Sequence, residues 1–269
     1  MPRYKLVLEY DGGAFHGWQS QKHEKNVQDT LRDALQILLS EEIQVAGASR
    51  TDSGVHARCQ VASFVSGEER DTRRMLAGLN GILPRSVRVR AAEQVPDVFD
   101  PRRDCMGKAY RYTWFDGPIH PPFWQAYSAY AKSRLDDAAM AQAAAHLVGE
   151  HDFSSFRAAG CTGKTPVRRI TKCEIRRKGE RVTMEIHGTA FLQKMVRNIA
   201  GTLQDVGLGK RTPAGVLELL AAKDRTLAGN TAPAAGLVLW QVEYGAIPRP
   251  GRLVLPPREA LTQQDDEDE

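Results

Sequence analysis

Asp52 is the residue whose type and setting could do chemistry. It follows Arg50 and Thr51, precedes Ser53, Gly54, Val55 and His56, and has a second arginine close by at Arg58. Guanidinium groups on either side of a carboxylate favour its ionised form. An ionised aspartate beside cations is either a nucleophile or one half of an ion pair. Residues 43–46 and 59–65 lean toward strands, and the Gly, Ser, Thr and Asp between them are loop formers. Asp52 is therefore expected on a loop held between two strands, where a rigid scaffold presents reacting groups. On residue chemistry alone a turn carrying a structural ion pair is the favoured reading, since short Asp-Ser-Gly turns are common.

The elements around that loop follow from periodicity. Residues 4–10 alternate as a strand, with Tyr4, Leu6, Leu8 and Tyr10 on one face. Asn26 with Asp29 three residues on is an N-cap signature, and Val27, Leu31, Ala34, Leu35 and Leu38 form one face of a helix to about residue 40. A helix over 72–80 and a strand over 87–95 complete a first α/β unit, residues 1–104. The second unit, residues 105–247, opens with a strand over 108–115. There Tyr110, Tyr112 and Trp114 share one face and Arg111 and Thr113 the other. Such aromatics are core, or they stack a displaced base with Lys108 and Arg111 near its phosphates; alternation fits both. An alanine-rich helix is expected over 135–147, a hairpin turning at Lys178-Gly179-Glu180, a helix marked by Leu192, Met195, Val196, Ile199, Leu203 and Val206, another over 213–222, and a last strand over 237–244. Arg197 falls to one side of its helix's apolar face and so can leave the core for a site. The expected fold is α/β (α+β), two units with mainly antiparallel sheets meeting around a basic cleft.

Between 164 and 181 stand Lys164, Arg168, Arg169, Lys172, Arg176, Arg177, Lys178 and Arg181, interrupted only by Glu174 and Glu180. A solvated charged face is the ordinary reading of such a run, and a surface that tracks phosphates is the functional one. The Gly163-Lys164-Thr165-Pro166 stretch does not complete a phosphate-binding P-loop, because Ala158 stands where glycine is needed and Pro166 obstructs the helix.

The totals exclude several classes. The chain has 269 residues, 42% hydrophobic and 26% charged, enough for two cores. It contains no apolar run of membrane-spanning length and no export pattern at its start, so the expected compartment is the cytosol. Cys59, Cys105, Cys161 and Cys173 form no Cys-x-x-Cys pair, which argues against a disulfide framework or zinc knuckle. Formal charge is +4, yet residues 265–269 are all acidic; without them 37 basic side chains face 28 acidic ones, a net +9. A basic body suits a polyanionic partner. Residues 248–269, rich in proline and then acidic, are expected to stay unfolded.

Four separated motifs now fall in order: Arg50-Thr51-Asp52-Ser53-Gly54-Val55-His56-Ala57, Lys108-Ala109-Tyr110-Arg111-Tyr112, Phe191-Leu192-Gln193-Lys194-Met195-Val196-Arg197-Asn198-Ile199, and Ala232-Pro233 with Gly236-Leu237. Together they resemble the tRNA pseudouridine synthase A family from Tyr4 to about Tyr244, and residues 151–157 resemble the start of that family's second-domain segment. The resemblance implies the pseudouridine synthase fold and an isomerase that detaches uridine from C1′ and reattaches it through carbon in the anticodon stem-loop of tRNA. It further implies a homodimer in the cytoplasm, with no metal and no cofactor. Asp52 matches the family's catalytic aspartate, Tyr110 the aromatic that stacks on the flipped base and Arg197 the arginine paired with the aspartate. Arg50 matches a residue that helps displace the base, and Leu237 lines the pocket. Arg58, Lys108, Arg111 and Arg168 are the cations expected to meet RNA phosphates. Ser49, where many relatives carry glycine, and the Gln193-Lys194 pair depart from the common pattern. His56 is read as a brace for the loop, since no hydroxyl nucleophile accompanies it.

Two other classes fit parts of the chain. A non-catalytic tRNA-binding protein or RNA chaperone would show the same basic strip and aromatics. An aspartic hydrolase would use Asp52-Ser53-Gly54, but it needs two carboxylates sharing a proton and only one such triplet is present.

Overall fold

The computed structural model describes residues 1–161, 163 and 165–245. Lys164 of the basic strip and the 248–269 tail lie outside the described residues. β1 (Arg3–Tyr10) buries Tyr4, Leu6 and Leu8 completely. α1 (Val27–Leu39) starts where the Asn26 side chain accepts a hydrogen bond from Asp29 N at 2.8 Å, and it turns Val27, Leu31 and Leu35 into the core. β2 is only Ala46–Gly47, shorter than the lead-in strand expected over 43–46, whereas β3 (His56–Val65) begins three residues earlier than expected. α2 (Thr72–Ile82) and β4 (Val87–Val95) close the first half.

The second half runs β5 (Cys105–Phe115), α3 (Pro122–Gln125), β6 (Ala129–Tyr130), α4 (Asp137–Ala145), β7 (Gly149–Asp152), β8 (Val167–Lys178), β9 (Arg181–Gly188), α5 (Met195–Gly207), α6 (Gly215–Ala222) and β10 (Leu237–Tyr244). α3, β6 and β7 are additions to the sequence reading. The alanine-rich helix is two residues shorter at each end than expected, because Asp136 caps it by accepting from Ala139 N.

All ten strands belong to one sheet, in the order β4-β1-β3-β10-β5-β9-β8-β7, with β2 beside β3 and β6 beside β5. The mainly antiparallel pairing is as expected, but it runs through one continuous sheet rather than two. Every neighbouring pair along the path is antiparallel except β3 and β10, which run parallel through Val238↔His56 and Leu239↔Ala57. The final strand thus inserts between the halves and joins them.

Register fixes which side chains share a face. Tyr10, Ala57, Leu239, Tyr110, Ile186 and Cys173 form one cross-strand row. The helices pack on that face: Trp114 on β5 donates to Gln204 on α5 at 3.2 Å, and α4 packs on β8 and α5. Residues one step away point to the opposite, polar face, where Arg111 pairs with Glu185 and Lys5 with Glu93. Among the described residues no helix is long and apolar enough to cross a membrane.

Candidate functional site

The Asp52 loop leaves the sheet where β2 ends. Ala48 N still donates to Val61 O at 2.8 Å, but one residue later the Gln60 side chain replaces the backbone ladder. Its Oε1 accepts from Ser49 N (3.2 Å) and its Nε2 donates to Ser49 O (2.6 Å). Ser49 and Thr51 are both buried and Arg50 between them is exposed, so the chain is still extended here. Thr51 is held twice, by Trp18 N donating to its carbonyl at 3.1 Å and by its hydroxyl against Tyr10 OH at 2.8 Å. A turn follows, closed by Val55 N donating to Asp52 O at 3.1 Å. Gly54 takes φ +77° in it, a region that a side chain would strain.

Arg197 comes to this turn from the first turn of α5, whose buried face is Met195, Val196 and Ile199. Its Nη1 donates to Asp52 Oδ2 at 3.0 Å and its Nε to Ala232 O at 2.8 Å, while Ala232 N donates back to Arg197 O at 3.1 Å. The loop carrying Ala232 can lie this close because Gly201 has no side chain; a Cβ there would sit 1.7 Å from Asn230 O. The Arg197 and Asp52 side chains are 15% and 22% exposed, which places their pair at the edge of the interior rather than inside it. Asp52 Oδ1 has no hydrogen-bond partner among the described residues.

Tyr110 and Leu237 stand beside the pair on the same face of the sheet. The Tyr110 hydroxyl meets Ser49 Oγ at 2.9 Å and its ring is edge-on to Phe191, with centroids 5.1 Å apart. Burial pushes the Tyr110 phenol up to about 12, so its hydroxyl keeps its proton at neutral pH. Leu237 opens β10 opposite Tyr112, whose hydroxyl donates to Pro233 O at 3.0 Å. Lys108 lies on this face too and donates from Nζ to Ala48 O at 2.7 Å; burial lowers its pKa. The arrangement is a partly buried carboxylate with one oxygen held by a guanidinium and the other unbonded among the described residues, beside aromatic and aliphatic side chains. That is the equipment for attack on carbon by a carboxylate.

Comparison with known proteins shows the family to which this arrangement belongs. A family model described as tRNA pseudouridine synthase matches residues 6–102 and 143–245. The chain is 46% identical to the tRNA pseudouridine synthase A of Myxococcus xanthus over 245 residues, 91% of this chain and 92% of that one. It is 41% identical to the tRNA pseudouridine synthase A of Geotalea uraniireducens over 244 residues, 91% of this chain and all of that one. The chain belongs to the tRNA pseudouridine synthase family.

In this pseudouridine synthase the expected site residues do not all converge. Asp52 and Arg197 pair, Tyr110 lies close enough for the Asp52 charge to act on its hydroxyl, and Leu237 shares their face of the sheet. Lys108 is spent on Ala48 O, with Cys105 and Arg102 as its titratable neighbours. Arg50 is adjacent to Asp52 but exposed, with no carboxylate pairing with it among the described residues. The expectation that Arg50 and Arg58 hold the Asp52 charge is overturned, because that place belongs to Arg197. Arg58 follows Ala57 on β3 and points to the opposite face, where its guanidinium lies 4.2 Å from the Trp240 ring centroid. Arg111 stacks on the same ring at 3.5 Å and pairs with Glu185 at 3.0 Å. Arg168 is turned onto its own chain, donating to Thr165 O (2.8 Å) and Val167 O (2.6 Å).

The basic strip of the synthase is also less available than its sequence implies. Arg177 donates to Asp116 at 2.8 Å and to Asp137 at 2.5 Å, and it is a structural clamp between β8 and α4. Lys172 pairs with Glu174 and Glu185, and Arg176 with Glu174. Arg169 is exposed without a carboxylate partner among the described residues. His56, expected to brace the Asp52 loop, instead ties the end of that loop to the turn after β1: its Nδ1 accepts from Gly12 N at 3.1 Å, and burial lowers its pKa.

Sequence reasoning missed Gln60 and Trp240. The available signal for Gln60 was a long amide at an inward position of a strand that otherwise turns Ala57, Ala62 and Phe64 inward. Among the described residues no group of three His, Cys, Asp or Glu side chains could hold a metal ion.

Proposed function

We propose that Asp52 is the nucleophile of this tRNA pseudouridine synthase, an isomerase, acting on a uridine extruded from the anticodon stem-loop. Isomerisation of uridine breaks the N1–C1′ bond and forms C5–C1′, while C5 loses a proton and N1 gains one. Product and substrate have the same atoms and the same oxidation level, so the reaction itself calls for no redox cofactor. A carboxylate serves whether it attacks C1′ of the sugar or C6 of the ring. The observation that carries the assignment is the Arg197–Asp52 pair, which holds Oδ2 and leaves Oδ1 without a hydrogen bond among the described residues.

The remaining roles follow from position. The Tyr110 ring stacks on the extruded base and recovers about 1–3 kcal/mol of the cost of flipping it. Leu237 forms the pocket wall, and Arg50, exposed two residues before Asp52, enters the RNA stack to displace the base. Lys108, which spends one hydrogen bond on Ala48 O, offers the rest to a phosphate beside the target. The units 1–104 and 105–247 supply opposite walls, and a homodimer places one tRNA across two copies in the cytoplasm.

The test is pseudouridine mapping on unmodified tRNA transcripts incubated with the purified protein. Pseudouridine confined to the anticodon stem-loop supports the reading. Binding of tRNA without any isomerisation would favour the tRNA-binding protein instead.

A further inference from the structure

The Asp52 loop is held from beneath by buried hydrogen bonds that converge on Gln60, a residue bonded to neither Asp52 nor Arg197. Gln60 is wholly buried. Its Oε1 accepts from Ser49 N (3.2 Å) and Val61 N (3.1 Å), and its Nε2 donates to Ser49 O (2.6 Å). These are bonds that a neighbouring strand would make, and the carboxamide makes them from a side chain because it carries donor and acceptor in one plane. From this hub a path runs through Ser49, whose Oγ meets Tyr110 OH at 2.9 Å. The Tyr10 hydroxyl, a neighbour of the Gln60 side chain, lies 2.8 Å from Thr51 Oγ1. Both neighbours of Arg50 are thereby pinned inward, which turns Arg50 outward and sets the point at which the Asp52 turn begins.

We propose that Gln60 is a positioning residue for the isomerisation, fixing the Asp52 loop through both backbone groups of Ser49 and the Tyr110 ring through the Ser49 hydroxyl. The inference rests on the roles given above to Asp52 and Tyr110. Gln60 is buried beneath the loop and does not face RNA, so its loss acts on the geometry of the reacting carboxylate rather than on affinity. A misplacement of about 1 Å at a reacting atom costs about 10²-fold in rate.

The test compares Gln60→Met, Gln60→Glu and a distant control, Leu219→Ala on α6, in the full-length protein. Turnover and KM on a tRNA transcript, tRNA Kd and melting temperature are measured for each. The expected result for Gln60→Met is a fall in kcat of about 10²-fold with KM and Kd near wild type, well beyond that of Leu219→Ala at a matched loss of melting temperature. Gln60→Glu adds a pH signature. A protonated carboxyl can supply the donor to Ser49 O and the acceptor for Ser49 N that the amide supplies here, and burial raises a carboxyl pKa. Its kcat relative to wild type should therefore rise as pH is lowered from about 8 to about 6. A kcat for Gln60→Met no lower than that of the control, a loss confined to KM, or a flat pH ratio for Gln60→Glu would each overturn the proposal. Full turnover by Asp52→Asn would overturn the underlying assignment as well, whereas an inactive Asp52→Asn beside a normal Gln60→Met overturns this inference alone.

Discussion

Arg197 Nη1 donates to Asp52 Oδ2 across 3.0 Å, bridging residues 145 positions apart in the chain. The guanidinium is itself aimed, because its Nε is committed to Ala232 O and the Ala232 loop is seated against Gly201 of α5. One planar fork therefore ties together the loop after β2, the start of α5 and the segment leading into β10. A lysine has a single terminal nitrogen and cannot reproduce both bonds in that geometry.

Replacing Arg197 by Lys is expected to lower kcat by about 10²-fold while tRNA Kd stays near wild type. Arg197→Met should cost more turnover and also about 1–3 kcal/mol of stability, since it strips the partner from a half-buried carboxylate and from Ala232 O. Single-turnover kinetics and thermal melts separate the two effects.

Tyr110→Phe and Tyr110→Ala separate ring from hydroxyl. Phenylalanine keeps the stacking surface and loses only the contact with Ser49, so turnover should drop several-fold. Alanine removes the ring, and with it stacking worth about 1–3 kcal/mol, so activity should fall far further. Pseudouridine formation by both variants at saturating tRNA is the measurement.

The cations of the basic strip should divide by their partners. Asp116 is fully buried beneath Arg177, and Arg177→Met should cost about 3–5 kcal/mol of stability with little change in tRNA affinity. Arg169→Gln should leave the melting temperature unchanged, weaken tRNA binding and reduce the slope of log Kd against log salt by about 1. Binding titrations across a salt series, beside melts of the same proteins, decide this.

Glu185 predicts a pH dependence of stability. The hydrogen bond from His187, with Lys172 and Arg111 alongside, holds its carboxyl well below the usual carboxylate range. A depressed folded-state pKa gives stabilisation that is present above the unfolded value of about 4.3 and is lost as pH falls below it. The wild-type melting temperature should therefore fall more steeply than that of Glu185→Gln between about pH 5 and about pH 3. Parallel slopes for the two proteins would show that the cluster contributes nothing.

Much of this structure is legible in the sequence because it is written locally. Asn26 and Asp29 mark the start of α1, the alternation from Tyr4 to Tyr10 gives β1, and Gly179 at φ +60° turns the β8–β9 hairpin where expected. What escapes is non-local. No pattern in residues 237–244 says that β10 inserts between β3 and β5, and that insertion decides which arginines meet Asp52. Arg58 is six residues from Asp52 yet faces away from it, and Arg197 reaches it from the other half of the chain. The basic strip misleads for the same reason. Asp116 and Asp137, which clamp Arg177, come from elements distant in sequence. The motifs of the resemblance found Arg197; residue chemistry alone pointed to Arg50 and Arg58.

The central claim, that the free oxygen of Asp52 does the chemistry, is tested most directly by Asp52→Asn. The substitution keeps the shape of the side chain and an oxygen that Arg197 can still reach, while removing the charge that attacks. Pseudouridine is counted in a tRNA transcript after prolonged incubation with the variant, beside a Kd for the same transcript. The account predicts wild-type binding and no detectable pseudouridine. Pseudouridine formed by Asp52→Asn at a rate near wild type would contradict it.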